Sequence, residues 1–176
     1  MKATKHLFII FTFCGSLLTG CKEDKVPESP TESVVSTFYF IRHAEKDRSD
    51  PNNNDPELNQ DGLGRAMRWA EVFDAVPLDR IYSTDYERTT MTAAPTAVKK
   101  DITVQYYQPQ MDLAQFKADN LDKKVLVVGH SNTTPELVNK MIGENIYPEI
   151  PDYDNGQLFI VQIIDDKATH MMLKID

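Results

Sequence analysis

Cysteine is nearly absent from this chain of 176 residues: there are two, Cys14 and Cys21, both close to the N-terminus. The remaining sequence can therefore hold no disulfide framework, cysteine metal site or cysteine nucleophile. Positive charge is also scarce, with 19 Lys and Arg against 27 Asp and Glu and a formal net charge of −8. A surface of that sign disfavours nucleic acid and anionic membranes as partners. Any anionic ligand must then be held by a local cationic pocket against the global field. Long apolar runs are missing too: Leu7 to Phe13 is too short to span a bilayer comfortably. No Cys/His/Asp cluster has the spacing of a metal site, and no internal repeat is present.

What is there begins with a leader. Lys2 and Lys5 precede the short apolar stretch, the order of a signal peptide. Leu18-Thr19-Gly20-Cys21 follows and resembles the lipobox of bacterial lipoproteins. That resemblance implies cleavage before Cys21 and lipid on its thiol; the alternative is an ordinary signal peptide that happens to contain a cysteine. Loss of Lys2 and Lys5 with the leader takes the net charge from −8 to about −10. Residues 21–36 carry Pro27, Pro30, carboxylates and serines with few apolar residues, and read as a flexible tether. Residues 37–176, about 140 in number, suit one domain. The expectation is an exported, lipid-anchored protein on the periplasmic or cell-surface side of a membrane.

Within the domain, strand-like runs alternate with amphipathic segments. Strands are expected at Phe38–Arg42, Arg80–Ser83, Ile102–Tyr106 and Lys124–Gly129, with a hairpin of Leu158–Ile164 and His170–Ile175 around Asp165-Asp166-Lys167. Helices are expected at Asp61–Ala75, with Leu63, Met67, Ala70 and Phe73 on one face, at Tyr86–Lys99 with Pro95 as a kink or break, at Met111–Asn120, and at Glu136–Ile142 ended by Gly143. Asp47 to Asn59 is a loop. This order predicts an α/β fold: a three-layer sandwich whose central, mainly parallel sheet is flanked by helices.

Sites in such sheets form beyond the carboxyl ends of the strands, and three polar clusters fall there: Arg42-His43, Ser83-Thr84-Asp85 and His130-Ser131-Asn132. An arginine beside a histidine puts a fixed cation next to a nitrogen nucleophile, which suits phosphate chemistry. Thr84 with Glu87, and Thr133 with Glu136, have capping-box spacing. Helix N-termini favour a bound phosphate.

The clusters add up to a pattern. Arg42-His43-Ala44-Glu45, the segment Asp55 to Gly62 with Arg65-Ala66, the segment Ser83 to Ala93 containing Arg88, and Gly129-His130-Ser131 together resemble the histidine phosphatase superfamily, or phosphoglycerate mutase-like family. The resemblance covers nearly the whole domain. It implies that His43 attacks phosphorus to form a phosphohistidine that water then hydrolyses, dividing one displacement into two. It implies that Arg42 and Arg88 bind the phosphoryl group and oppose protonation of His43, and that His130 adds a donor from the opposite side. No cofactor or metal is implied. The proton for the leaving group falls to Asp112 or to Glu45, which could equally pair with Arg42 or Lys46.

Two positions depart from the family pattern. Ala44 stands where glycine is usual, and Asp85 where proline is common; Asp85 could cap the helix at Tyr86. Outside the motifs, His170 reads as a surface or edge residue, Trp69 as packing, and Asn52-Asn53-Asn54 as solvated loop. Only about forty residues separate Arg88 from His130, leaving little chain for a lid. An open cleft resembles the short phosphohistidine phosphatase branch more than a mutase. The expected substrate is a phosphorylated small molecule or phosphoprotein. The other class is a non-catalytic phosphate-binding or interaction lipoprotein on the same fold.

Overall fold

The computed structural model describes residues 33–175. The expected leader, Cys21 and most of the expected tether lie outside the described residues. From Val35 onward strands and helices alternate: β1 Val35–Arg42, α1 Gln60–Val72, β2 Arg80–Ser83, α2 Glu87–Lys100, β3 Val104–Tyr106, α3 Leu113–Asp119, β4 Lys124–Gly129, α4 Thr133–Ile142, β5 Gln157–Ile164 and β6 Lys167–Lys174. The strands form one six-stranded sheet in the order β3-β2-β4-β1-β5-β6. The first four of these are parallel. β5 runs antiparallel to β1, and β6 to β5. This is the expected α/β sandwich.

Side-chain alternation along the strands sorts the core into two layers. Phe38 and Phe40 of β1, Val125 and Val127 of β4 and Phe159 and Val161 of β5 face α3 and α4, where they meet Phe116, Leu137, Val138 and Met141. Ile41, Leu126, Val128 and Leu158 face the other way, onto Trp69 and Phe73 from α1 and its C-cap and Ala93 and Ala97 of α2. Lying between β2 and β1, β4 is covered on both faces. That is why Val125 to Val128 is apolar without interruption.

Several boundaries differ from the sequence expectation, each for a local reason. β1 starts at Val35, inside the expected tether, because Val35 and Ser36 pair with Ile164 and Ile163. Ser36 is buried and its Oγ accepts the Asp122 N–H at 2.9 Å. In α1 the buried face is Ala66, Trp69 and Ala70, continued by Phe73, whereas Leu63 and Met67 are exposed. The helix phase is set at its start, where Asn59 caps the Gly62 N–H at 2.9 Å and Gly62 packs on the Glu45 backbone. Trp69 is a packing residue, 1% exposed.

α2 continues through Pro95 to Lys100 without a break. α3 is shorter than expected, since Asp112 is its N-cap and not part of it. α4 begins at Thr133, three residues early, and Gly143 ends it with φ +74°. The β5–β6 turn places Asp165 (φ 47°) and Asp166 (φ 66°) in the left-handed region, the arrangement of a two-residue type I′ hairpin. His170 sits on the edge strand, its Nδ1 2.8 Å from the Tyr147 hydroxyl. Among the described residues no helix is long and apolar enough to cross a membrane.

Candidate active site

Register brings the two histidines together. Arg42 and Gly129 are partners across the parallel β1–β4 pair, so His43 and His130 leave adjacent strands side by side. The His43 N–H donates to the Gly129 carbonyl at 2.8 Å. Their rings are 5.6 Å apart and inclined at 66°. On the other side of β4, β2 delivers Ser83 and Thr84, and Arg88 follows in the first turn of α2. The carboxyl ends of three neighbouring strands thus gather Arg42, His43, Thr84, Arg88 and His130, as the motif positions led us to expect.

His43 is held at both ends. Its Nδ1 is 2.7 Å from the Ala44 carbonyl. A carbonyl only accepts, so Nδ1 carries the proton and Nε2 keeps its lone pair. The backbone around it is tied down in turn. The Ala44 N–H donates to Thr92 Oγ1 at 2.9 Å, and that hydroxyl donates to the Arg88 carbonyl at 2.7 Å. Asn155 Nδ2 donates to the His43 carbonyl at 2.8 Å. Burial lowers the His43 pKa to about 3, with Arg42, His130 and Arg88 pushing the same way and the Ala44 bond opposing them. The arginines do oppose protonation, as expected, but desolvation is the larger cause.

Arg42 is less free than a phosphate fork would be. Its Nη1 donates to the carbonyls of Pro151, Asp152 and Asp154 at 2.9, 3.1 and 3.2 Å. Its Nη2 meets Asp152 Oδ1 at 3.0 Å. Only Nε is buried without a partner. Those contacts fasten the loop before β5 over the end of β1, and hydrogen bonds from Arg48 and then Arg42 hold the Asp152 carboxyl below its ordinary pKa.

Arg88 meets Asp55 Oδ1 at 3.2 Å and lies over the Tyr86 ring at 4.3 Å. His130 Nε2 is 2.9 Å from Thr84 Oγ1, and the Tyr86 ring stands at 88° to its imidazole with centroids 5.1 Å apart. Burial lowers the His130 pKa to about 4, followed by Arg88, Arg42 and Lys46, with Asp55 opposing. A cleft of about 510 Å³ opens beside Arg88 and His130, lined also by Asp85, Tyr86, Gln108 and Asn132. A smaller recess of about 180 Å³ adjoins His43.

The two carboxylates expected near the chemistry have other partners. Arg65 Nε lies 2.8 and 3.0 Å from the Glu45 oxygens, so Glu45 is paired, and with Arg65 in place of the Arg42 or Lys46 that the alternative reading named. Asp112 Oδ1 accepts the N–H groups of Ala114 and Gln115 at 2.9 and 3.2 Å. Neither capping box forms. Thr84 bonds His130 and Thr89, and Thr133 Oγ1 accepts the His130 N–H at 3.3 Å. The start of α2 is capped from a distance, by Asp55 accepting the Glu87 N–H at 3.0 Å, and not by Asp85. Asp55, Thr92, Asp152 and Asn155 have no role that the sequence shows, because the bonds that tie them to Glu87, Ala44, Arg42 and His43 span between 32 and 112 positions. Among the described residues no group of three His, Cys, Asp or Glu side chains could hold a metal ion.

The family model described as histidine phosphatase superfamily (branch 1) matches residues 38–109, which include Arg42, His43 and Arg88. No curated protein sequence matches the chain. Among solved structures, a SixA protein histidine phosphatase complexed with tungstate is 14% identical, with 78% of this chain and 96% of that one covered and a TM-score of 0.62. A SixA phosphohistidine phosphatase candidate from Agrobacterium tumefaciens is 19% identical, covering 80% and 99%, with a TM-score of 0.59. A mycobacterial glucosyl-3-phosphoglycerate phosphatase is 14% identical, covering 81% and 100%, with a TM-score of 0.59. At such identities these likenesses establish the shared fold.

Proposed function

We propose that this chain, which the histidine phosphatase superfamily model matches over residues 38–109, is a member of that superfamily and a phosphoric monoester hydrolase that works through a phosphohistidine on His43. The observation that carries this reading is the state of His43 itself. The Ala44 carbonyl holds the proton on Nδ1, and burial and the neighbouring cations keep Nε2 unprotonated. A neutral nitrogen nucleophile beside Arg42 and Arg88 is what attack on a phosphate monoester needs. Arg42 Nε, buried without a partner, and the Arg88 guanidinium are the donors this reading assigns to the phosphoryl oxygens. Positive charge from these side chains supports a metal-independent reaction.

The substrate class is a phosphomonoester or a phosphohistidine, the latter in keeping with the SixA proteins that share the fold. The leader and the lipobox-like Leu18-Thr19-Gly20-Cys21 support export and lipid anchoring. The test is an alkaline quench of the full chain after mixing with 2,4-dinitrophenyl phosphate. An acid-labile phosphoenzyme is expected in the wild type, undiminished by chelator and absent from His43→Ala. If the wild type forms no phosphoenzyme and hydrolyses no aryl phosphate, the reading fails in favour of a non-catalytic anion-binding protein.

A further inference from the structure

Proton counting around His130 leads beyond this reading. Thr89 Oγ1 lies 2.8 Å from the Thr84 carbonyl and 2.9 Å from the Tyr86 carbonyl. Carbonyls only accept, so the single Thr89 hydroxyl proton points to them. Thr89 Oγ1 is then an acceptor toward Thr84 Oγ1, 3.0 Å away, and Thr84 gives its proton there. With that proton in place, Thr84 Oγ1 faces His130 Nε2 at 2.9 Å as an acceptor. His130 must therefore carry its proton on Nε2. The chain has one direction, from imidazole through two hydroxyls to backbone carbonyls. Thr84 and Thr89 are buried, 2% and 0% exposed, so water does not replace either hydroxyl.

The other ring nitrogen, Nδ1, has no partner among the described residues, and it is the nitrogen on which a proton can come and go. We propose that His130 is the acid–base residue of the reaction, working from Nδ1, and that Thr84 and Thr89 are positioning residues that keep the second proton on Nε2 throughout. This rests on the phosphohistidine reading above. The substrate enters as its monoanion and passes its proton to His130 Nδ1, becoming the dianion. In the first step the His43 Nε2 pair forms a bond to phosphorus, the ester P–O bond breaks, and the leaving oxygen takes that proton from His130 Nδ1. In the second, water attacks phosphorus, its proton goes to Nδ1, and the P–N pair returns to His43. The product phosphate takes the proton from Nδ1 and leaves as its monoanion, so each turnover restores the neutral Nε2–H tautomer. The role falls to His130 because Glu45 is paired with Arg65 and Asp112 caps α3. The charges facing His130 are Arg88, Arg42 and Lys46, which disfavour its cation, and Asp55, which favours it. A bound phosphoryl dianion adds to the favourable side.

The experiment compares two substrates on the full chain. Dinitrophenolate leaves without a proton, whereas the alkoxide of benzyl phosphate needs one. His130→Asn is expected to lose about 10²-fold or more in phosphorylation by benzyl phosphate and far less with 2,4-dinitrophenyl phosphate. With the latter it should accumulate phosphoenzyme, because the water step is then slow. Long-range nitrogen NMR of the wild type should show His130 as the Nε2–H tautomer. Thr84→Ser should keep that tautomer, while Thr84→Val should yield a mixture with Nδ1–H and the same leaving-group dependence as His130→Asn. Equal losses with both substrates in His130→Asn, or an Nδ1–H tautomer in the wild type, overturn the proposal while leaving the phosphatase reading standing. Absence of any phosphoenzyme in the wild type overturns both.

Discussion

Asp55 Oδ1 accepts from the Arg88 guanidinium at 3.2 Å and from the Glu87 N–H at 3.0 Å. One loop carboxylate thus caps α2 and sits on the cation proposed to hold the phosphoryl group. In Asp55→Asn the amide oxygen can still take the Glu87 N–H, but the charge competing for Arg88 is gone. Asp55 is half-exposed, and ion pairs of that kind are worth up to about 1 kcal/mol. Inorganic phosphate should bind the variant roughly two- to fivefold more tightly, read as the inhibition constant against aryl phosphate hydrolysis.

The buried N–H of Ala44 donates to Thr92 Oγ1 at 2.9 Å. Thr92→Val keeps the shape and leaves that donor without a partner, a cost of about 1–3 kcal/mol. Because the Ala44 carbonyl orients His43, kcat should fall along with the denaturation midpoint. Thr92→Ser, which restores the hydroxyl, should recover both.

Gly62 is a contact and not a hinge. A β-carbon there would come to 2.1 Å from the Glu45 carbonyl oxygen and 2.9 Å from its carbon. Backbone cannot give way as a side-chain tip can, so Gly62→Ala should destabilise the domain by about 1–3 kcal/mol. Gly64, with nothing within 4 Å of such a carbon, is the control. There alanine should be neutral or slightly stabilising in thermal melts, as expected in a helix.

Stability should fall on acidification for a stated reason. In the unfolded chain His43 and His130 titrate near 6.5, whereas in the fold they titrate at about 3 and about 4. Between about pH 4 and 6.5 the unfolded state therefore binds more protons, so stability rises with pH across that window and is lost as pH falls. Each histidine adds a slope of up to roughly 1.4 kcal/mol per pH unit. Denaturant unfolding at pH 7 and pH 5 should show a smaller difference for His43→Gln than for the wild type. An identical difference in both would show that His43 titrates alike in the two states.

The strands and the motif residues could be read without coordinates because their signals are local. Val125 to Val128 announces a strand covered on both faces, and Arg42-His43 and Gly129-His130 end their strands within the same few residues that define them. Helix phase was not so legible. Leu63, Met67, Ala70 and Phe73 form as good a stripe as Ala66, Trp69, Ala70 and Phe73. The contact of Gly62 with Glu45 chooses between them.

Capping was misread for a related reason. Thr84 with Glu87 and Thr133 with Glu136 have the right spacing, but spacing says nothing of competitors arriving from other strands. His130 draws both hydroxyls away, Thr84 from across the sheet and Thr133 from three residues before it; Asp55 caps α2 instead, and α4 has no side-chain cap.

What the amino-acid order determines by itself is the alternation of elements, the identity of the two histidines and two arginines, and their place at strand ends. These depend on residues within a few positions of one another. Tertiary structure alone decides their chemical state: which nitrogen of His43 and of His130 carries a proton, which donors of Arg42 remain unpartnered, and which carboxylates are already paired. The Ala44 carbonyl makes the choice for His43 from the next residue, and hydrogen bonds with the 151–155 loop, Thr84, Asp55 and Arg65 make the others across separations that no local pattern records. Arg42-His43 marks the site. The parallel register of β1 with β4, and the burial it imposes, make His43 a neutral imidazole facing a second one.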